Sequence, residues 1–191
     1  MSRFFRWFFL LSLPLFVADQ VSKHWVVERF FPPGHPAYFA PENEIELAGS
    51  ALVIHRIHNR GVAFGMFNDL DGPWQNLIFG SISLTVMVVL IIAWAKGAFP
   101  TLAPRIAIAL LVSGILGNVT DRFLHGYVVD FVKVDLGFPP FNPWPSFNVA
   151  DSCITIAAIL LFVSAFYPQA RSQSSIPSQS PDKDEGQAAG A

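Results

Sequence analysis

WQNLIFGSISLTVMVVLIIAWA, residues 74–95, decides the fold class. It carries no Asp, Glu, Lys, Arg or His. About 20 apolar residues wound as a helix cross the hydrocarbon core of a bilayer. Backbone polar groups there find no water, so a helix that pairs them internally is the default spanning element. The stretch therefore reads as a transmembrane helix, and the chain around it is expected to follow suit.

Three further segments fit that reading: residues 5–26 with Pro14 as an expected kink, residues 104–124, and residues 148–167. The basic residues Arg3 and Arg6 before an apolar run resemble a secretory leader. A cut after Ala18, however, would place Phe16 where a small residue is wanted, and the apolar pattern resumes at Val21, Trp25, Val26 and Val27. An uncleaved first span is the expectation. The expected fold is thus an all-α membrane protein of four transmembrane helices in a single membrane-embedded domain, residues 1–168. A small extramembrane β element over residues 28–73 carries the strand-like run Ser50 to Ile57. Leu136 to Pro145 reads as a Pro-rich re-entry segment, and the Ser-, Gln- and Pro-rich residues 169–191 as a disordered tail.

Composition agrees. Of 191 residues, 52% are hydrophobic and 14% charged, where a soluble domain carries roughly a quarter charged. A net charge of −2 supplies no basic field for nucleic acid. The single cysteine, Cys153, permits neither an internal disulfide nor a multi-thiol metal site, and in its apolar run it reads as packing. Lys and Arg divide six to six between the two sides of the bundle, so the positive-inside rule gives only a lean. The N-terminus and the loop around Lys96 and Arg105 carry cations without an acid, which favours a cytoplasmic placement for both.

Up-down threading brings most of the polar residues to one end. Asp19 and Lys23 close the first span, Asn118, Asp121 and Arg122 close the third, and Asn148 and Asp151 open the fourth. The long loop with Asn59 and Arg60 and the connection with Asp130 share that end. Ionisable groups near hydrocarbon are costly and mark functional sites by default. Structural roles compete: Asp19 and Lys23 are an i, i+4 pair, Asn148 and Asp151 suit a helix N-cap and first turn, and Asp121 with Arg122 suits headgroup anchoring. Ser113 and Gly117 form a small-residue face for helix packing. His55 and His58, three apart in an extended run, face different ways and make no metal site. With neither a serine elbow nor a phosphate-binding glycine loop present, carboxylates remain as the chemical equipment. Two held close cannot both ionise, so one keeps a proton and the pair can act as acid and base.

Four blocks in order carry a resemblance: Ala18 to Lys23 (ADQVSK), His58 to Gly65 (HNRGVAFG), Gly117 to Arg122 continuing through Gly126 to Phe131 (GNVTDR and GYVVDF), and Phe147 to Ser152 (FNVADS). Together they resemble the bacterial lipoprotein signal peptidases, the signal peptidase II family, over residues 4–168. The resemblance implies an intramembrane aspartic peptidase with Asp130 and Asp151 as the catalytic pair. It implies that Asp19, Lys23, Asn59, Gly61, Asn118, Asp121, Arg122, Asn148 and Ala150 shape the site or support the dyad. The implied substrate is a prolipoprotein whose cysteine already bears diacylglycerol, cut just before that cysteine. The implied setting is the bacterial inner membrane, with cytoplasmic termini and the active site near the periplasmic face. No cofactor or metal is expected, the expected partners are substrate and membrane lipids, and a monomer is the expected state. The rival reading, an ion or proton transporter, would spread ionisable groups through the membrane depth. Here residues 74–95 hold none and residues 104–124 hold theirs near the ends.

Overall fold

The computed structural model describes residues 6–61, 74–99, 101–139 and 142–166. The expected tail at 169–191 and Val62 to Gly65 of the second motif block lie outside the described residues. A π-helical turn, Phe8–Ser12, runs into the α-helix Leu13–Arg29 (α1), with Pro14 in the first turn of the latter. Three longer helices follow: Trp74–Ala95 (α2), Leu102–His125 (α3) and Val149–Phe166 (α4).

Three helices are long and apolar enough to cross a membrane: Leu77–Ala95, Leu102–His125 and Val149–Phe166. The first expected span is helical but falls outside that set. Its α-helical part is only 17 residues long and carries Asp19, Lys23, Glu28 and Arg29. α3 is the central element, with 67% of its apolar window buried against 11% and 17% for the other two. α2 instead leaves Leu77, Ile78, Ile82, Val86, Val89 and Ile92 exposed, an outer face suited to lipid.

α3 packs against α4 so closely that two of its glycines are required. A Cβ on Gly114 would come within 2.5 Å of the Ala150 carbonyl oxygen and 2.6 Å of Ile154 Cγ1. One on Gly117 would come within 2.5 Å of Asp19 Oδ2 and 3.0 Å of Ala150 Cβ. Gly114 thus joins the expected Gly117 on this face, and the expected Ser113 is buried as well. Cys153 is free and buried, packed with Ala107, Leu110 and Ala157.

The expected small β element is present, and it is larger than the run Ser50 to Ile57. Four antiparallel strands lie in the order β1 (Ile45–Glu46), β2 (Leu52–Asn59), β3 (Val128–Val134), β4 (Trp144–Phe147). Half the sheet thus comes from the connection between α3 and α4: β3 lies ahead of the expected re-entry segment Leu136 to Pro145, and β4 begins within its last two residues. Val128 to Val134 is valine-rich and extended, and it finds a partner in the run Leu52–Asn59. Gly126, in the left-handed region at φ 78°, ends α3 and turns the chain into β3. Val26, Phe30, Val129 and Phe131 form the core between α1 and the sheet. Arg56, buried in that joint, donates from Nη1 to the carbonyls of Val27 and Phe30 at 3.1 and 3.2 Å, satisfying the C-terminal end of α1.

Candidate active site

Asn148 is the N-cap of α4, and its side-chain oxygen accepts the Asp151 amide at 2.8 Å. Asp151 returns the bond, its Oδ2 accepting the Asn148 amide at 3.3 Å. This is a capping box in which the third-position acid is aspartate. The capping role foreseen for these two residues is real, and it fixes the Asp151 carboxylate at the start of the helix.

Asp130 comes to the same place from β3, opposite Ile57 of β2. The Asn148 side-chain amide donates to Asp130 Oδ1 at 2.7 Å, and Asn59 Nδ2 donates to Asp130 Oδ2 at 2.9 Å. Asn118 Nδ2 donates to Asp151 Oδ1 at 2.7 Å. Three asparagines from a loop edge, α3 and the α4 cap thus hold two carboxyls, with Asn148 common to both. Burial and the charge of Asp151 push the Asp130 carboxyl up to about 7, against the opposing effect of the Asn59 hydrogen bond.

Beneath the pair lies a fully satisfied ionic cluster. Lys23 Nζ reaches Asp19 Oδ2 at 2.8 Å, Asp121 Oδ2 at 3.1 Å and Asn118 Oδ1 at 3.1 Å, which uses all three ammonium hydrogens. Asp19 Oδ1 accepts the Ala150 amide at 2.8 Å, and Asp121 Oδ2 accepts the Val129 amide at 2.9 Å. Asp19 therefore tethers the first turn of α4, which carries Asp151. Asp121 tethers the residue preceding Asp130. The i, i+4 pair on α1 and the expected headgroup anchor on α3 are in fact buried supports: Asp19, Lys23 and Asp121 are 0%, 3% and 2% exposed. Arg122 reaches back instead, donating to the Gly61 carbonyl at 2.8 Å, while the Gly61 amide donates to Asn59 Oδ1 at 3.0 Å. All the residues named from sequence converge at this end.

Sequence reasoning missed Gln20, whose Nε2 lies 3.1 Å from Asp19 Oδ2 and 3.2 Å from Asp121 Oδ1. Its place beside Asp19 in the first motif block was the available signal. Ser146 and His55 were also missed; their Oγ and Nε2 lie 2.9 Å apart.

A cavity of about 490 Å³ opens on Asp151. Asn59, Asn118, Arg122 and Asp151 line its polar end, Trp144 to Phe147 one wall, and Ser83, Ile115, Ile154, Thr155 and Ile156 its apolar extension. Asp130 lies behind Asn59, 2% exposed. Among the described residues no three His, Cys, Asp or Glu side chains gather as a metal-ligand set.

Helices long and apolar enough to cross a membrane, a small antiparallel sheet and paired buried carboxyls beside a largely apolar cavity define the site of a membrane enzyme. Two solved bacterial membrane enzymes share the fold. One has a TM-score of 0.71 and 27% identity over 88% of this chain and 92% of its own. The other has a TM-score of 0.68 and 28% identity over 84% and 93%. The family model described as signal peptidase (SPase) II matches residues 11–167. The lipoprotein signal peptidase of Psychromonas ingrahamii is 37% identical over 167 residues, 87% of this chain and 88% of its own. That of Pseudoalteromonas atlantica is 37% identical over 161 residues, covering 83% and 88%. The chain belongs to the signal peptidase II family, and is a peptidase of lipoprotein processing.

Proposed function

We propose that this chain is an aspartic endopeptidase that removes the signal peptide from diacylglyceryl-modified prolipoproteins, cutting just before the lipidated cysteine. The observation that carries the reading is the sharing of one asparagine, Asn148, by Asp130 and Asp151. That arrangement gathers both carboxyls around one asparagine, beside the cavity that Asp151 lines.

Asp130, with its carboxyl raised to about 7, is the member of the pair that holds the proton in this reading, fully so below that pH. Asp151 is the carboxylate, at the positive end of α4 and accepting from Asn118 and Asn148. Asp151 takes a proton from water as the water oxygen attacks the scissile carbonyl carbon. Asp130 gives its proton to the carbonyl oxygen, forming a gem-diol. Asp151 then hands its proton to the departing nitrogen as the C–N bond breaks, and Asp130 recovers a proton from the diol. The amine leaves on the lipidated cysteine. Lys23, Asp19 and Asp121 touch no reacting atom; they hold Asn118, Ala150 and Val129 in place.

The cavity suits the substrate. Its apolar extension along α2, α3 and α4 takes the signal helix and acyl chains, and its sheet wall takes the polar chain beyond the cut. The sheet end faces the periplasm in this reading, with both termini cytoplasmic in the bacterial inner membrane. Residues 1–168 form one domain, and a single chain completes the site. The test is mass spectrometry of products from a purified prolipoprotein, with and without diacylglycerol. The reading expects one cut, before the lipidated cysteine; equal cutting of the unlipidated precursor refutes it.

A further inference from the structure

We propose that Ser146, held by His55, binds the extended substrate chain about two residues beyond the cut, where that chain lies along the open edge of β4. The inference rests on the peptidase reading above and adds a specificity contact to it.

β2 and β4 are not neighbours. β3 lies between them, which sets their backbones about 10 Å apart. His55 of β2 and Ser146 of β4 nonetheless meet at 2.9 Å. Two bulges bring them together. His55 and Arg56 stand opposite the single residue Phe131, between the pairs Ile54 with Val132 and Ile57 with Asp130. Pro145 and Ser146 stand opposite Lys133, between the pairs Val134 with Trp144 and Val132 with Phe147. A bulge bends its strand and re-aims a side chain, and bulges gather beside active sites. Here two successive bulges direct one histidine and one serine across the strand between them, and Ser146 lines the cavity.

Burial and nearby Lys133 push the His55 imidazole down to about 4, so it is neutral at neutral pH. So weak a base does little to activate a serine nucleophile. Among the described residues His55 makes no hydrogen bond besides that to Ser146, so nothing orients it as the middle of a triad. A neutral ring nitrogen that fixes the hydroxyl suits binding.

Among the described residues β4 is the end strand of the sheet. Open strand edges accept extended peptides through main-chain hydrogen bonds. β4 also leads directly into Asn148 and the carboxyl pair. At roughly 3.3 Å per residue, Ser146 lies about 7 Å before Asn148. The cavity's apolar extension lies on the far side of the pair, so the signal peptide occupies that side and the mature chain passes β4.

The test is steady-state kinetics on a lipidated prolipoprotein peptide and on its analogue N-methylated at the second and third residues beyond the cut. Ser146→Ala and His55→Phe are expected to raise KM about fivefold with kcat within twofold, since a neutral hydrogen bond contributes a few-fold to binding. Ser146→Thr and His55→Gln restore KM. Wild type loses a similar factor on the N-methyl analogue, and Ser146→Ala loses nothing more there. An unchanged KM in Ser146→Ala, or the same added loss on both substrates, overturns the contact. Loss of kcat on the scale of an Asp130 variant also overturns it, by making Ser146 part of the chemistry. Should Ser146→Ala fail to fold, the Thr and Gln variants and the wild-type response to N-methylation still decide. Failure of wild type to cut any lipidated peptide would defeat the peptidase reading instead.

Discussion

Replacing Lys23 by Met tests whether the ionic cluster holds up the carboxyl pair. The methionine fills similar volume but removes the one cation that, among the described residues, bridges Asp19 and Asp121, both almost fully buried. Each carboxylate keeps two donors, since Gln20 serves both, Ala150 serves Asp19 and Val129 serves Asp121. What is left is two uncompensated buried charges facing one another, and breaking a buried pair in this way costs about 3–5 kcal/mol. At about 2–4 °C per kcal/mol for a domain of this size, the melting temperature should fall by about 6–20 °C. The assay is thermal unfolding of detergent-solubilised protein, followed by tryptophan fluorescence. The double variant Asp19→Asn, Lys23→Met should lose clearly less than the two single losses summed, because one of the two orphaned anions, and its repulsion of the other, is gone. An unchanged melting temperature in Lys23→Met, or additive losses, would show that the cluster is not a coupled support.

Gly117→Ala drives a methyl to 2.5 Å from Asp19 Oδ2, so it should lower stability by about 1–3 kcal/mol and cut turnover by at least about tenfold. Gly80→Ala, with open space around its Cβ, is the control, and equal effects of the two in melting and cleavage assays would refute the packing argument. The raised carboxyl of Asp130 sets a pH dependence. Below about 7 it holds the proton that the carbonyl oxygen needs, so kcat/KM should be flat approaching that value from below. Above it the rate should fall about tenfold per pH unit; a rise through the same window would mean that Asp130 acts ionised.

Much of this was legible in the chain because hydrophobic length and polar position are one-dimensional signals. Residues 74–95 declared a span, and the ends of the expected spans placed Asp19, Lys23, Asn118, Asp121, Arg122 and Asp151 together. The sheet was half-hidden because β2 and β3 are 68 residues apart at their ends Asn59 and Val128 with a helix pair between, and single-chain periodicity carries no pairing information. Val128 to Val134 is short and largely apolar, a pattern that periodicity alone does not assign to a strand. The supporting roles were masked by local explanations that were each correct. Lys23 does pair at i, i+4 with Asp19, and Asn148 does cap a helix, but only the three-dimensional contacts with Asp121, Asn118 and Asp130 show what those local bonds support. Gly114 could not be singled out from spacing, because which small residues face a neighbour depends on helix rotation.

The central claim is that Asp130 and Asp151 perform the chemistry. Its most direct test is cleavage of a diacylglyceryl-modified prolipoprotein in liposomes by wild type, Asp130→Asn and Asp151→Asn, each checked for a cooperative melt. The pair predicts that either asparagine variant, although folded and still able to bind the lipidated substrate, loses at least about a thousandfold in turnover, on the scale of losing one member of a catalytic unit. Turnover near the wild-type rate by either folded variant would contradict it.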